Sequence, residues 1–187
     1  MKLAPATGRR ESRRHDAGFT LIEIAVVLFL IALMTLTIMP SVRTFHVSRL
    51  KHEVRRLAGR ATFLYDQAAA NKLVLRLTFN FDTQGYFVSR LDPHSPQPVF
   101  TPDLEDGAAP VILPPDVRIR DVTVEGGGTI TRGTVSCNFY PEGYVDATVV
   151  HLVNPGGTVF TLSFQPLTGR VMIARGDLTP QAAQARS

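Results

Sequence analysis

Glu23 is the residue whose type and place most call for an explanation. From Phe19 to Met39 the chain runs 21 residues in which only Thr20, Glu23, Thr35 and Thr37 are not apolar. A carboxylate five residues into such a run costs about 2.5–3.5 kcal/mol when the run enters a bilayer, and intramembrane ionisable groups usually mark function. The other candidates for chemistry are weaker. No Gly-x-Ser-x-Gly elbow, His-Glu-x-x-His pair or Gly-rich phosphate loop ending in Lys-Ser/Thr occurs. His15, His46, His52, His94 and His151 show no metal-ligand spacing, and Asp103, Glu105 and Asp106 read as a solvated acidic loop. Gly126-Gly127-Gly128 precedes Thr129 and reads as a flexible turn. Cys137 is the one cysteine, so no intramolecular disulfide or Cys-based metal cluster can form; alternation places it with Val135 and Phe139 on one strand face, as a small core residue. The chain therefore reads as non-enzymatic, with no cofactor, metal or small-molecule substrate.

The elements that must position Glu23 follow from hydropathy. At about 1.5 Å per residue the apolar run spans roughly 31 Å as a helix, close to the ~30 Å hydrocarbon core of a bilayer. It exceeds a conventional signal region and ends in Thr37-Ile38-Met39-Pro40 without an Ala-x-Ala site, which disfavours cleavage behind it. Flanking charge leaves orientation open: five Lys/Arg precede the run, and Arg43, Arg49, Lys51, Arg55, Arg56 and Arg60 follow it. The formal net charge of +4 belongs mostly to Lys2, Arg9, Arg10, Arg13 and Arg14 in the N-terminal tail, so a global polyanion-binding surface is not supported.

Beyond the run, Leu50, Val54, Leu57, Ala61, Leu64 and Ala68 recur at alternating spacings of four and three, one stripe of an amphipathic helix. Pro40 removes a backbone hydrogen bond and is expected to kink or loosen the helix where its two parts meet. After Lys72 the pattern changes to strands. Leu73–Phe81 and Gly85–Leu91 read as a hairpin, and residues 92–116, with seven prolines, as a long loop with little regular structure. Val117–Val124 alternates, with Val117, Ile119, Asp121 and Thr123 on one face. Thr134–Tyr140, Thr148–Val153, Thr158–Gln165 and Arg170–Ala174 follow between Pro/Gly turns, and the chain ends in a polar tail. The fold class is α+β: a long N-terminal helix against an antiparallel β-sandwich.

Gly18-Phe19-Thr20-Leu21-Ile22-Glu23, behind a short basic tail and ahead of the apolar run, resembles the N-terminal signature of type IV pilins and type II secretion pseudopilins. Further on, Phe139-Tyr140-Pro141-Glu142-Gly143, Val149–Leu152, Thr161-Leu162-Ser163-Phe164 and Thr168-Gly169-Arg170-Val171 resemble the H-type minor pseudopilins (the GspH family), a pattern shared with a minor pilin of type IV systems. The resemblance implies cleavage between Gly18 and Phe19 by a prepilin peptidase, N-methylation of Phe19, and a C-terminal domain on the periplasmic side of the inner membrane. It further implies that Glu23 pairs with the amino terminus of a neighbouring subunit and that Pro40 is the helix-loosening proline of such filaments. Ala17 departs from the pattern, which usually has a basic residue before the glycine.

The domain expectation is a leader over 1–18, a transmembrane part over 19–40, the amphipathic part over 41–72, a periplasmic β-sandwich over 73–176 and a tail over 177–187. The expected partners are the prepilin peptidase, the major and other minor pseudopilins, and inner-membrane lipids. The role implied is assembly of the filament that drives export of folded proteins across the outer membrane. The alternatives are a minor pilin of a type IV pilus that contacts DNA, and a membrane-anchored periplasmic enzyme or carrier.

Overall fold

The computed structural model describes residues 19–102 and 109–178, and for residues 36–46 the backbone alone. Gly18, His15 and the acidic loop Asp103, Glu105 and Asp106 lie outside the described residues, as do the side chains of Pro40 and His46. The chain divides into two compact units, Met1–Pro40 and Ser41–Ser187.

In the first unit, Thr20 opens helix α1 (Leu21–Asn71). Its Oγ1 accepts a hydrogen bond from the Glu23 amide at 3.3 Å, and its carbonyl accepts from the amides of Glu23 (3.1 Å) and Ile24 (3.3 Å). Thr-x-x-Glu is the spacing of a capping box, and a carboxylate in the first turn complements the positive end of the helix dipole. From Leu21 to Met34 the large apolar side chains are exposed around the whole circumference, from Val27 at 45% to Leu21 at 89%. A helix apolar on every side is one made to be surrounded by apolar matter. Thr35 adds no open donor, because its hydroxyl bonds back to the Ile31 carbonyl at 2.7 Å.

In the second unit the same helix element behaves differently. Leu50, Val54, Leu57, Ala61, Leu64 and Ala68 are all buried, as the periodicity predicts. Lys72, at φ 57°, ends the helix in the left-handed region, and the Leu73 amide closes onto the Ala68 carbonyl at 3.1 Å.

Among the described residues eleven strands follow, in two antiparallel sheets. The first sheet takes β1 (Leu75–Asn80), β2 (Gly85–Leu91), β3 (Phe100–Pro102), β4 (Val111–Ile112), β7 (Thr134–Tyr140) and β8 (Tyr144–Val145). Its order is β3-β2-β1-β7-β8, with β4 also on β2. The second takes β5 (Arg118–Val124), β6 (Gly128–Ile130), β9 (Thr148–Val153), β10 (Val159–Phe164) and β11 (Val171–Arg175), in the order β11-β10-β9-β5-β6. The helix stripe packs with Leu75, Leu77, Phe79 and Phe139 of the first sheet and Val122, Val150, Leu152, Leu162 and Phe164 of the second in one core. Cys137 is part of it, fully buried, and burial pushes its thiol up to about 12. It is a core residue without thiolate character at neutral pH.

The expected β1–β2 hairpin is present with Asn80 opposite Gly85. Asn80 Oδ1 accepts from the amides of Asp82 (2.8 Å) and Thr83 (3.0 Å), an Asx turn, and Gln84 takes φ 50° at its end. Gln84 then bridges the sheets: Nε2 donates to the Phe81 carbonyl and Oε1 accepts from the Ile119 amide, both at 2.8 Å.

One expectation holds and one needs correction. Among the described residues the proline-rich stretch 92–116 has little regular structure, the short β3 and β4, which both add to the free edge of β2. Edge positions tolerate proline because one side of the strand needs no ladder partner, and Phe100 is held by the Arg76 guanidinium, 3.4 Å from its ring centroid. Gly85 has no room for a Cβ, which would sit 2.5 Å from the Val111 carbonyl oxygen as β4 passes. The correction is in β5, where the register shifts between Ile119 and Asp121. Strict alternation fails there, so Ile119 and Val122 both join the core while Asp121 faces His151.

Candidate functional site

Of the residues singled out for processing and assembly, Phe19 and Glu23 lie at the start of α1. Phe19 lies just before the helix, 76% exposed, and Glu23 is exposed in its first turn. Gly18 is outside the described residues. Pro40 lies within α1 and closes the first unit. Within this unit Glu23 is held by its own backbone through the Thr20 cap, leaving the carboxylate on the helix surface beside exposed apolar side chains. Among the described residues no helix is long and apolar enough to cross a membrane; the described side chains of the apolar run extend only from Phe19 to Thr35.

The turn motifs of the second half converge on one side chain, Tyr65 of α1. Its hydroxyl faces the carbonyls of Gly143 at 2.7 Å and Leu167 at 3.0 Å, joining the β7–β8 and β10–β11 turns to the helix. Gly143 and Gly169 both take positive φ, 84° and 63°. A Cβ at Gly169 would lie 2.2 Å from the Tyr65 ring, so the glycine serves backbone conformation and close approach together. Tyr140 and Tyr144 stack beside this junction, ring centroids 4.1 Å apart. These contacts lock the helix to the sheets; they do no chemistry.

Sequence reasoning missed a charged cluster on the second sheet. His151 Nδ1 lies 2.6 Å from Asp121 Oδ1, and Nε2 lies 3.1 Å from the Leu178 carbonyl and 3.3 Å from Asp177 Oδ1. Arg120 donates through Nε to Asp121 and through both terminal nitrogens to Asp177, at 2.8 and 2.9 Å. Thr161 Oγ1 donates to the Gly176 carbonyl at 2.7 Å and accepts from the Leu178 amide at 3.2 Å. The segment 176–178 is thereby fastened across the sheet. Burial works to raise the Asp121 carboxyl, but hydrogen bonds from His151 and Arg120 outweigh it and hold the group below its usual range. The Arg120 hydrogen bonds lower Asp177 likewise. The only sequence signal was the alternation itself, and the β5 bulge that pairs Asp121 with His151 is invisible to it. Among the described residues no group of His, Cys, Asp or Glu is arranged to hold a metal ion.

Comparison with known proteins bears on both halves. Residues 13–39 match the family described as the prokaryotic N-terminal methylation motif. No curated protein sequence matches the chain. Two structures of the minor pseudopilin EpsH from the type II secretion system of Vibrio cholerae share the fold. One superposes with a TM-score of 0.57 at 13% identity, covering 71% of this chain and 98% of that one. The other gives 0.53 at 11% identity, covering 68% and 97%. The chain therefore combines an N-terminal methylation motif with a fold shared with EpsH.

Proposed function

We propose that this chain is a non-enzymatic minor subunit of a type II secretion pseudopilus. The observation that carries this reading is the presence, in one chain, of the methylation motif over residues 13–39 and the EpsH-like fold over about two thirds of the chain. In this reading a prepilin peptidase removes residues 1–18 and methylates Phe19. Residues 19–40 hold the subunit in the inner membrane, residues 41–72 continue as the amphipathic part of the helix, and residues 73–176 form the periplasmic domain, followed by the tail. The filament built with the major and other minor pseudopilins then serves export across the outer membrane.

The exposed first turn supplies the physical reason for assembly. The side chains from Leu21 to Met34 find no cover within their own unit, and Glu23 adds a carboxylate that low dielectric tolerates chiefly when paired. The ammonium of Phe19 on an adjacent subunit is the cation of matching position, and Pro40 gives the helix freedom to adjust as subunits pack. Glu23→Gln keeps the shape and removes the charge. Glu23→Gln subunits should be cleaved and membrane-bound as before but should fail to co-purify with the other minor pseudopilins. Wild-type recovery of that complex would sink the pairing role, and failure of the unaltered chain to co-purify would sink the proposed function.

A further inference from the structure

The end strands of the two sheets are not alike. On the first sheet they are β3, of three residues and containing Pro102, and β4 and β8, of two residues each. On the second sheet β6 has three residues and begins at Gly128, whereas β11 runs five, Val171-Met172-Ile173-Ala174-Arg175. Short strands, proline and glycine make an edge unfit for further pairing. β11 has none of them. Its register shows which of its backbone groups are already used. Gln165 donates to the Arg170 carbonyl and Gly176 to the Val159 carbonyl, both at 2.9 Å, with Ser163 opposite Met172 and Thr161 opposite Ala174 between them. Hydrogen-bonded pairs alternate along an antiparallel ladder. The N–H and C=O groups of Val171, Ile173 and Arg175 therefore point outward, and among the described residues nothing bonds to them.

We propose that this edge receives a further strand from another protein, an extended segment apolar in its middle and acidic at both ends. The inference goes beyond the pseudopilus reading and does not depend on it. Both faces of the edge suit apolar neighbours: Ile173 is 42% exposed, and Met172, on the opposite face by alternation, is 39% exposed. Arg170 and Arg175 are exposed at the two ends of the strand, and among the described residues neither enters a salt bridge. They stand about 17 Å apart along the strand, so a paired segment meets both only if it is acidic at each end. The same charge disfavours a second copy as the occupant. Antiparallel pairing of two β11 strands about Ile173 brings Arg170 of one copy beside Arg175 of the other at both ends, and like charges across a ladder repel. Residues 176–178 do not cover the edge either. Gly176, at φ 108°, turns away from it, and Thr161 and His151 hold the segment over β10 and β9.

The test uses the full chain in detergent and a fluorescein-labelled peptide, Glu-Val-Thr-Val-Thr-Val-Glu, at up to about 1 mM. Anisotropy should rise on binding. The amides of Val171, Ile173 and Arg175 should gain protection from exchange, while those of Met172 and Ala174, already bonded to β10, stay as they were. A peptide with lysine at both ends should bind about tenfold more weakly, and one N-methylated along its bonding edge should not bind. Arg170→Glu together with Arg175→Glu should reverse the preference between the two charged peptides. No rise in anisotropy, equal binding of the N-methylated peptide, or an unchanged preference in the double variant would overturn the proposal. So would protection of the same amides that grows with protein concentration alone, because the occupant would then be a second copy. Protection conferred by an oligonucleotide and not by the peptide would overturn it as well, leaving the two arginines as a nucleic-acid contact.

Discussion

Helix α1 contains two solutions to one problem. Between Leu21 and Met34 the apolar side chains point everywhere and are exposed everywhere; between Leu50 and Ala68 they fall on one stripe and are buried. The first stretch leaves its apolar surface for something outside its unit to cover, and the second is completed by the chain's own sheets. Helical propensity alone does not separate them. What differs is the distribution of charge, because polar residues exclude all but one face of the second stretch from apolar packing.

The same substitution placed in each half should break the comparison most sharply. Leu57→Asp puts a carboxylate among Leu75, Leu77 and Phe79 in the core and should destabilise the domain by several kcal/mol, seen as loss of the thermal transition by circular dichroism. Leu28→Asp should leave that transition in place and instead penalise membrane partitioning by about 2.5–3.5 kcal/mol, read by carbonate extraction. A Leu28→Asp protein whose domain melts early would join what the comparison separates. The exposed Arg55→Ala is the control and should stay within about 0.5 kcal/mol.

A smaller effect is expected at the Tyr65 junction. Gly169→Ala drives a methyl group into the Tyr65 ring at a backbone angle that L-residues avoid, which should cost about 1–3 kcal/mol in the same melting experiment. Gly157→Ala shares a positive φ but has open space around it, so it should cost less. Equal costs at the two positions would show that Tyr65 does not clamp the turns.

The mildest perturbation is acid. Because the folded-state carboxyl of Asp121 sits below its usual range, its stabilising contribution is complete above the unfolded value near 3.9 and is lost as pH falls through the lower, folded value. Segment 176–178 should therefore stay protected from amide exchange between pH 7 and about pH 5 and loosen below about pH 4. Asp121→Asn should loosen it at neutral pH. Unchanged protection of Leu178 in that variant would assign the fastening to Thr161 instead.

Much of this was legible in the chain. The buried stripe of α1, the β1–β2 hairpin and the strands between Pro/Gly turns follow from local periodicity and turn chemistry, which act within a few residues. Long-range pairing was not legible. Nothing local says that Phe100 will find Arg76 and so order a proline-rich stretch, or that a bulge after Ile119 will turn Asp121 toward His151. The glycines of the two turns were visible as a pattern, but the reason for Gly169 is a tyrosine more than a hundred positions earlier. Arg56 counted in the sequence only among the basic residues that follow the apolar run, yet it faces the buried Glu53. At the candidate site, the motif around Gly18, Phe19 and Glu23 was the clearest signal in the sequence.

The mass of the amino-terminal peptide tests the central claim most directly. Protein extracted from membranes of cells with an active prepilin peptidase should begin at Phe19 and carry one methyl group on its amino nitrogen. An intact Met1 terminus from such cells would contradict the account.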